Sequence, residues 1–232
     1  MKIAVLGTGK KLDSWKEKHS LNSSITYVQD TQSCGDYDVF VDLNFDESPK
    51  RIADYANSDN TFFLLSANLV NLDQAIFDSQ IKNPPKYAIG ICAFPHLIER
   101  NTFEICIPNY ISLQHDHDIH SFTERIESIR LSLGYEKTQR VQSRTGLVTA
   151  RVLCMIINEA YYTVQEGTAN KKDIDTAMKL GTNYPKGPFE YVNIFGIDLV
   201  YKQLEALFED TKEERYKICS LLKSEYQNSI LL

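Results

Sequence analysis

The sequence predicts a doubly wound, mostly parallel α/β sheet domain followed by an all-helical domain. Three observations carry that expectation. Up to about residue 143, short apolar runs alternate with helical patterns; a glycine turn follows the first run; beyond Gly146 only helical periodicity remains. Strands spaced by helices imply βαβ units, and long crossovers pair strands in parallel rather than as hairpins.

The candidate strands are 2–6, 25–28, 39–43, 61–65, 87–91, 104–107 and 137–141. Amphipathic or capped segments lie between them at 10–19, 47–57 and 70–79, with Pro49 suited to a first helical turn. Ser121 and Glu124 read as a capping box opening a helix that runs through Leu133 to Gly134. The helical half reads as 148–165, 173–180, 188–195, 197–209 and 213–226, with Gly167, Gly181 and Gly196 at left-handed C-terminal positions. The composition shift places the domain boundary so that the units are 1–143 and 144–232.

Composition narrows the function classes. The 232 residues are 43% hydrophobic and 24% charged, ordinary for a globular chain able to bury a core. A net charge of −6 argues against nucleic acid or an anionic membrane as partner, since both want basic patches. No run approaches the ~20 apolar residues of a membrane span, and Ile3–Leu6 is too short for a signal core. Five cysteines, without a CxxC pair, speak for a reducing cytoplasm rather than a disulfide framework or zinc ribbon.

The first strand runs into Gly7-Thr8-Gly9, a turn that brings backbone N–H groups to a pyrophosphate at a helix N-terminus. Asp30 closes the second strand, where an acid hydrogen-bonds a ribose 2′-hydroxyl and favours NAD over NADP. Leu12 holds the slot of the third glycine and should push the helix outward. Lys10 and Lys11 either attract phosphates or are simply solvated. Two readings stay open: a nucleotide site, or a doubly wound fold whose site is degraded.

The helical half carries closely spaced motifs: Arg151-Val152-Leu153, Asn158-Glu159-Ala160, Asp173-Ile174-Asp175, Lys179-Leu180-Gly181, Tyr184 through Glu190, and Gly196-Ile197-Asp198. In this order the chain resembles 3-hydroxyacyl-CoA dehydrogenases, strongly over 144–232 and loosely over 1–143. The resemblance implies a Rossmann-like NAD-binding domain and an all-α dimerisation domain. It implies a homodimer, an acyl-CoA-like substrate, and NAD-dependent oxidation of 3-hydroxyacyl-CoA to 3-ketoacyl-CoA in fatty-acid metabolism. Caps and turns explain most of these motifs without any ligand.

Within that resemblance the catalytic positions are altered. Where the family has a histidine with a glutamate twelve positions on, this chain has Cys92 and Glu104; Pro95 replaces a loop asparagine. The family's Gly-Phe-x-x-Asn-Arg becomes Gly146-Leu147-Val148-Thr149-Ala150-Arg151, so the asparagine is Ala150. Its Ser-Asn-Thr-Ser becomes Ser66-Ala67-Asn68-Leu69, leaving Ser66 or Asn68 to compensate if the register slips. A long helical arm after the second strand is missing. The candidate catalytic set is therefore Glu104, Cys92, Ser66 and Asn68; the candidate cofactor set is Gly7, Gly9 and Asp30.

Imidazole titrates near ~6.5 and suits the removal of a hydroxyl proton. A thiol starts near ~8.5 and a neighbouring carboxylate raises it. Cys92 is thus a poor base, and His96 is a distant substitute. The expectation is weak NAD binding and weak or lost turnover. The alternatives are a binding dimer without catalysis and altered chemistry through Cys92 and Glu104. The run His115 to His120 invites a metal, but alternating ligands diverge, so no metal is expected.

Overall fold

Runs of β-branched and aromatic residues set the strands, and Asn71 and Asn170 each cap a helix by accepting the N–H of Asp73 and Asp173. The computed structural model describes residues 1–56, 58–114 and 119–231. In chain order the first unit holds β1 (Ile3–Leu6), α1 (Gly9–Lys18), β2 (Ile25–Val28), β3 (Val39–Asp42), β4 (Phe62–Ser66), α2 (Leu72–Ser79) and β5 (Ala88–Ile91). It continues with β6 (Thr102–Cys106), α3 (Asn109–Gln114), α4 (Ile119–Ser132) and β7 (Lys137–Val141). The second holds α5 (Thr149–Gln165), α6 (Lys171–Thr182), α7 (Pro188–Phe195), α8 (Ile197–Thr211) and α9 (Ser220–Leu231). The chain divides into two compact units, Met1–Leu147 and Val148–Leu232.

The sheet has seven strands in the order β2-β1-β3-β4-β5-β6-β7, all parallel except the antiparallel β5–β6 pair. Strands β1, β3, β4 and β5 are buried along their whole length, as continuous apolar runs must be when helices cover both faces. Edge strands β2 and β7 instead show exposed polar positions. One face packs Trp15, Ile126 and Ile129 onto Ile3, Val5 and Val41; the other packs Phe40, Phe63, Tyr55 and Leu72. Each such side chain contributes roughly 1.5–3 kcal/mol on burial. The chain steps from β1 outward to β2 and then back across to β3. That reversal makes a switch point at the carboxyl ends of β1 and β3, where ligands bind in open α/β sheets.

Three local expectations need correction. The helix read over 47–57 is two 3-10 turns, Phe45–Glu47 and Pro49–Tyr55, because Ser48 leaves the helical conformation between them (φ −144°, ψ 62°). The helix read over 173–180 runs from Lys171 to Thr182 and passes through Gly181; Asn183, at φ 57°, closes it. Asparagine tolerates that left-handed conformation, so the glycine was not needed. The helix read over 213–226 splits into a 3-10 turn, Glu214–Tyr216, and α9. The His115–Asp118 part of the histidine-rich run lies outside the described residues. Among the described residues no helix is long and apolar enough to cross a membrane.

Candidate functional site

Two places in the sheet unit carry the sequence-derived candidates. The first is the glycine turn. Gly7 sits against Leu43, where a Cβ would lie 3.0 Å from Leu43 Cδ1, and Gly9 takes φ +58° over open space. These glycines permit the sharp turn into α1. Leu12 packs partly buried against the core of that face. Beside the turn, at the switch point, is a groove of about 400 Å3 lined by Leu6, Gly7, Thr8, Gln29, Asn44, Glu47, Ser48 and Arg51.

The groove's polar groups are largely engaged. Thr8 N–H donates to Asn44 Oδ1 at 2.7 Å, so this amide is already spent. Asn44 in turn donates through Nδ2 to Glu47 Oε1 at 2.8 Å. Arg51 donates to the Asn44 carbonyl at 2.6 Å and stands 3.3 Å from Asp42. Burial pushes the Asp42 carboxyl upward, against the pull of Arg51 and the Tyr55 hydroxyl 2.7 Å away. A pyrophosphate meeting the glycine turn would have to displace Asn44 from Thr8. Asp30 is exposed, and its carboxylate accepts Gln32 N–H at 3.0 Å.

Lys11 corrects the sequence reading. It neither meets solvent nor waits for phosphate: it is 4% exposed and paired with Asp46 at 2.7 Å, with Glu47 at 3.3 Å. Asp46 was not singled out in the sequence, because a buried acid is recognisable only once its cation, 35 positions away, is placed beside it.

Asp46 links this place to the second. Its other carboxylate oxygen accepts the Ser66 hydroxyl at 2.6 Å and the Leu69 N–H at 3.4 Å. Asn68 Oδ1 accepts Ala93 N–H at 2.8 Å, and Asn68 Nδ2 donates to Cys92 Sγ at 3.6 Å. Cys92 N–H donates to the Glu104 carbonyl across the β5–β6 boundary. Ser66, Asn68, Cys92 and Glu104 therefore do lie together at the carboxyl ends of β4 and β5 and on β6. Ser66 and Asn68 are fully buried and Glu104 nearly so.

The chemistry of that cluster is quiet. Burial first, and the Glu104 carboxylate second, push the Cys92 thiol up to about 12. The cavity shared by Cys92, Glu104, Arg100 and Tyr135 is about 10 Å3, at the lower limit for one water molecule. His96 sits at φ 62°, with its ring 3.1 Å from Glu99. Among the described residues no group of three metal-ligating side chains is assembled.

In the helical unit polar side chains hold several helix ends. Asn170 Oδ1 caps α6 through Asp173 N–H at 3.0 Å. Asp175 Oδ1 accepts Phe189 N–H at 2.8 Å in the first turn of α7. Gly187 is required there, since a Cβ would fall 2.2 Å from Asp175 Oδ1. Glu190 closes the box on Gly187 N–H at 2.9 Å and pairs with Lys179. Ala150 is buried in α5, and Arg151 donates to the Tyr216 hydroxyl at 2.8 Å. A cavity of about 900 Å3, which the sequence did not foreshadow, lies against Tyr161, Lys171, Phe189 and Glu225, with Lys171 and Glu225 paired at 2.6 Å.

Comparison with known proteins agrees with this architecture. Residues 146–230 match the family model for the 3-hydroxyacyl-CoA dehydrogenase C-terminal domain. A 3-hydroxyadipyl-CoA dehydrogenase of Escherichia coli is 46% identical over 78 residues, 34% of this chain and 16% of that protein. A 3-hydroxybutyryl-CoA dehydrogenase of Clostridioides difficile is 24% identical over 210 residues, 88% of this chain and 71% of that protein. The chain spans only 16, 26 and 27% of three of the curated relatives it matches. The crystal structure of (S)-3-hydroxybutyryl-CoA dehydrogenase from Ralstonia eutropha superposes with a TM-score of 0.74 at 16% identity, covering 98% of this chain and 94% of that one.

Proposed function

We propose that this chain, which belongs to the 3-hydroxyacyl-CoA dehydrogenase family, keeps a nicotinamide-nucleotide groove but turns over 3-hydroxyacyl-CoA slowly or not at all. One observation carries this reading: the side chain in the base position is a thiol pushed up to about 12, hydrogen-bonded by Asn68 and beside Glu104. Such a group holds its proton at neutral pH and cannot take one from a substrate hydroxyl. Ser66 and Asn68, the residues left to compensate, are buried and engaged inside the protein.

A bound NAD would supply the hydride acceptor. The turn Gly7-Thr8-Gly9, with Gln29 and Arg51 across the groove, would hold it, weakly because Asn44 competes for the Thr8 amide. An acyl-CoA-like molecule is the ligand class in keeping with the relatives' names. A homodimer through the helical unit, and a reducing cytoplasmic setting for five free cysteines, complete the reading. Altered chemistry through Cys92 and Glu104 is disfavoured by the same raised thiol.

The test is reduction of acetoacetyl-CoA by NADH. The expected rate is at least ~10³-fold below an active family member, since acid–base help alone is worth about 10²–10⁴-fold. Cys92→His alone should recover little, because groups acting as a unit are non-additive. An ordinary rate in the unmodified protein refutes the proposal.

A further inference from the structure

The last two residues of the β2 loop entry part ways. Gln29 lines the switch-point groove, whereas Asp30, one position on, turns its carboxylate to the Gln32 N–H. The charged side chains on the groove are Arg51 and Glu47. Glu47 is matched, with Asn44 Nδ2 at 2.8 Å and Lys11 Nζ at 3.3 Å. Arg51 donates to the Asn44 carbonyl at 2.6 Å and stands 3.3 Å from Asp42, yet a quarter of its side chain stays exposed on the groove.

An acid at the end of the second strand accepts hydrogen bonds from a ribose diol and repels a phosphate there. An arginine nearby does the opposite. A neutral amide can donate to a phosphate oxygen or accept from a hydroxyl, so it imposes no charge preference. We propose that Gln29 and Arg51, rather than Asp30, read the ribose end of this groove. The groove then takes adenine dinucleotides bearing a 2′-phosphate at least as well as those bearing a free 2′-hydroxyl. This rests on the reading of the groove as a nucleotide site and replaces the preference for NAD that Asp30 implied.

The experiment is calorimetric titration of the full chain with NADH and with NADPH, for the unmodified protein, Gln29→Asp and Asp30→Ala. Both substitutions fall on exposed residues, so the fold survives them. The unmodified protein should bind NADPH as tightly as NADH or more tightly. Gln29→Asp should lower the NADPH-to-NADH affinity ratio by about tenfold, the factor one charged contact brings. Asp30→Ala should leave that ratio within about twofold. A clear preference of the unmodified protein for NADH overturns the proposal, as does a ratio that moves with Asp30→Ala and not with Gln29→Asp. Either result leaves the nucleotide reading of the groove intact. Absence of binding by both ligands overturns that reading together with the proposal.

Discussion

The two units keep different things. In the helical unit polar side chains hold helix ends: Asn170 on α6, Asp175 and Glu190 on α7, with Gly187 where no Cβ fits. In the sheet unit the candidate side chains Ser66, Asn68 and Cys92 are hydrogen-bonded inside the protein. The contrast is between contacts that end helices and contacts that join buried polar groups across strands. A cap is needed whatever the protein does, whereas a base is needed only if a proton must move. The sheet unit holds an internal chain of contacts, Lys11–Asp46–Ser66 and Asn68–Cys92.

If that chain of contacts serves the fold, breaking it should cost more than breaking a cap. Asp46→Ala leaves the buried Lys11 ammonium only Glu47, 3.3 Å away, takes the acceptor from the Ser66 hydroxyl, and should cost about 3 kcal/mol in urea unfolding. A loss below the cost of a cap would mean that Lys11 escapes to solvent and the network is not structural.

The second expected effect concerns acid. His19 is buried against Trp15, and burial, aided by Lys18, lowers it to about 4. Its ordinary value is 6.5, so stability is complete above that pH. Below it the unfolded chain binds a proton that the folded one refuses, and stability falls until about pH 4. The total is about 3 kcal/mol. His19→Gln should flatten this limb of the unfolding curve; an unchanged limb would place the acid sensitivity elsewhere.

The smallest effect belongs to the helical unit. Asn170→Ala removes the acceptor for Asp173 N–H and should cost about 1 kcal/mol by thermal or urea unfolding. Gly187→Ala sharpens the point, since the methyl must evict Asp175 from Phe189 N–H. If Asn170→Ala proved as costly as Asp46→Ala, the contrast between the units would fail.

Much of this was legible in the sequence. The apolar runs of β1, β3, β4 and β5 and the glycine turn name the sheet directly, because a strand buried on both faces has no polar alternation to confuse it. The Cys92–Glu104 spacing located a real cluster, since both strands of the β5–β6 pair lie on one stretch of chain. Long-range pairings were not legible. Lys11 reads from sequence as a phosphate attractor or a solvated lysine until Asp46 stands beside it, and nothing in the sequence singles out Asn44, whose Oδ1 accepts Thr8 N–H. Nor did Gly181 betray that the helix runs past it to Asn183.

If Ser66, Asn68 and Cys92 hold the sheet unit together rather than move protons, the Cys92 thiol keeps its proton at neutral pH. Thiolate ultraviolet absorbance, taken as the difference between the unmodified protein and Cys92→Ser across pH, tests it without any ligand. The Cys92 thiol should stay protonated through neutral and mildly alkaline pH, with ionisation only toward about 12. A difference signal that rises near neutrality would contradict the account, for it would mean a thiolate poised beside Glu104 as base or nucleophile.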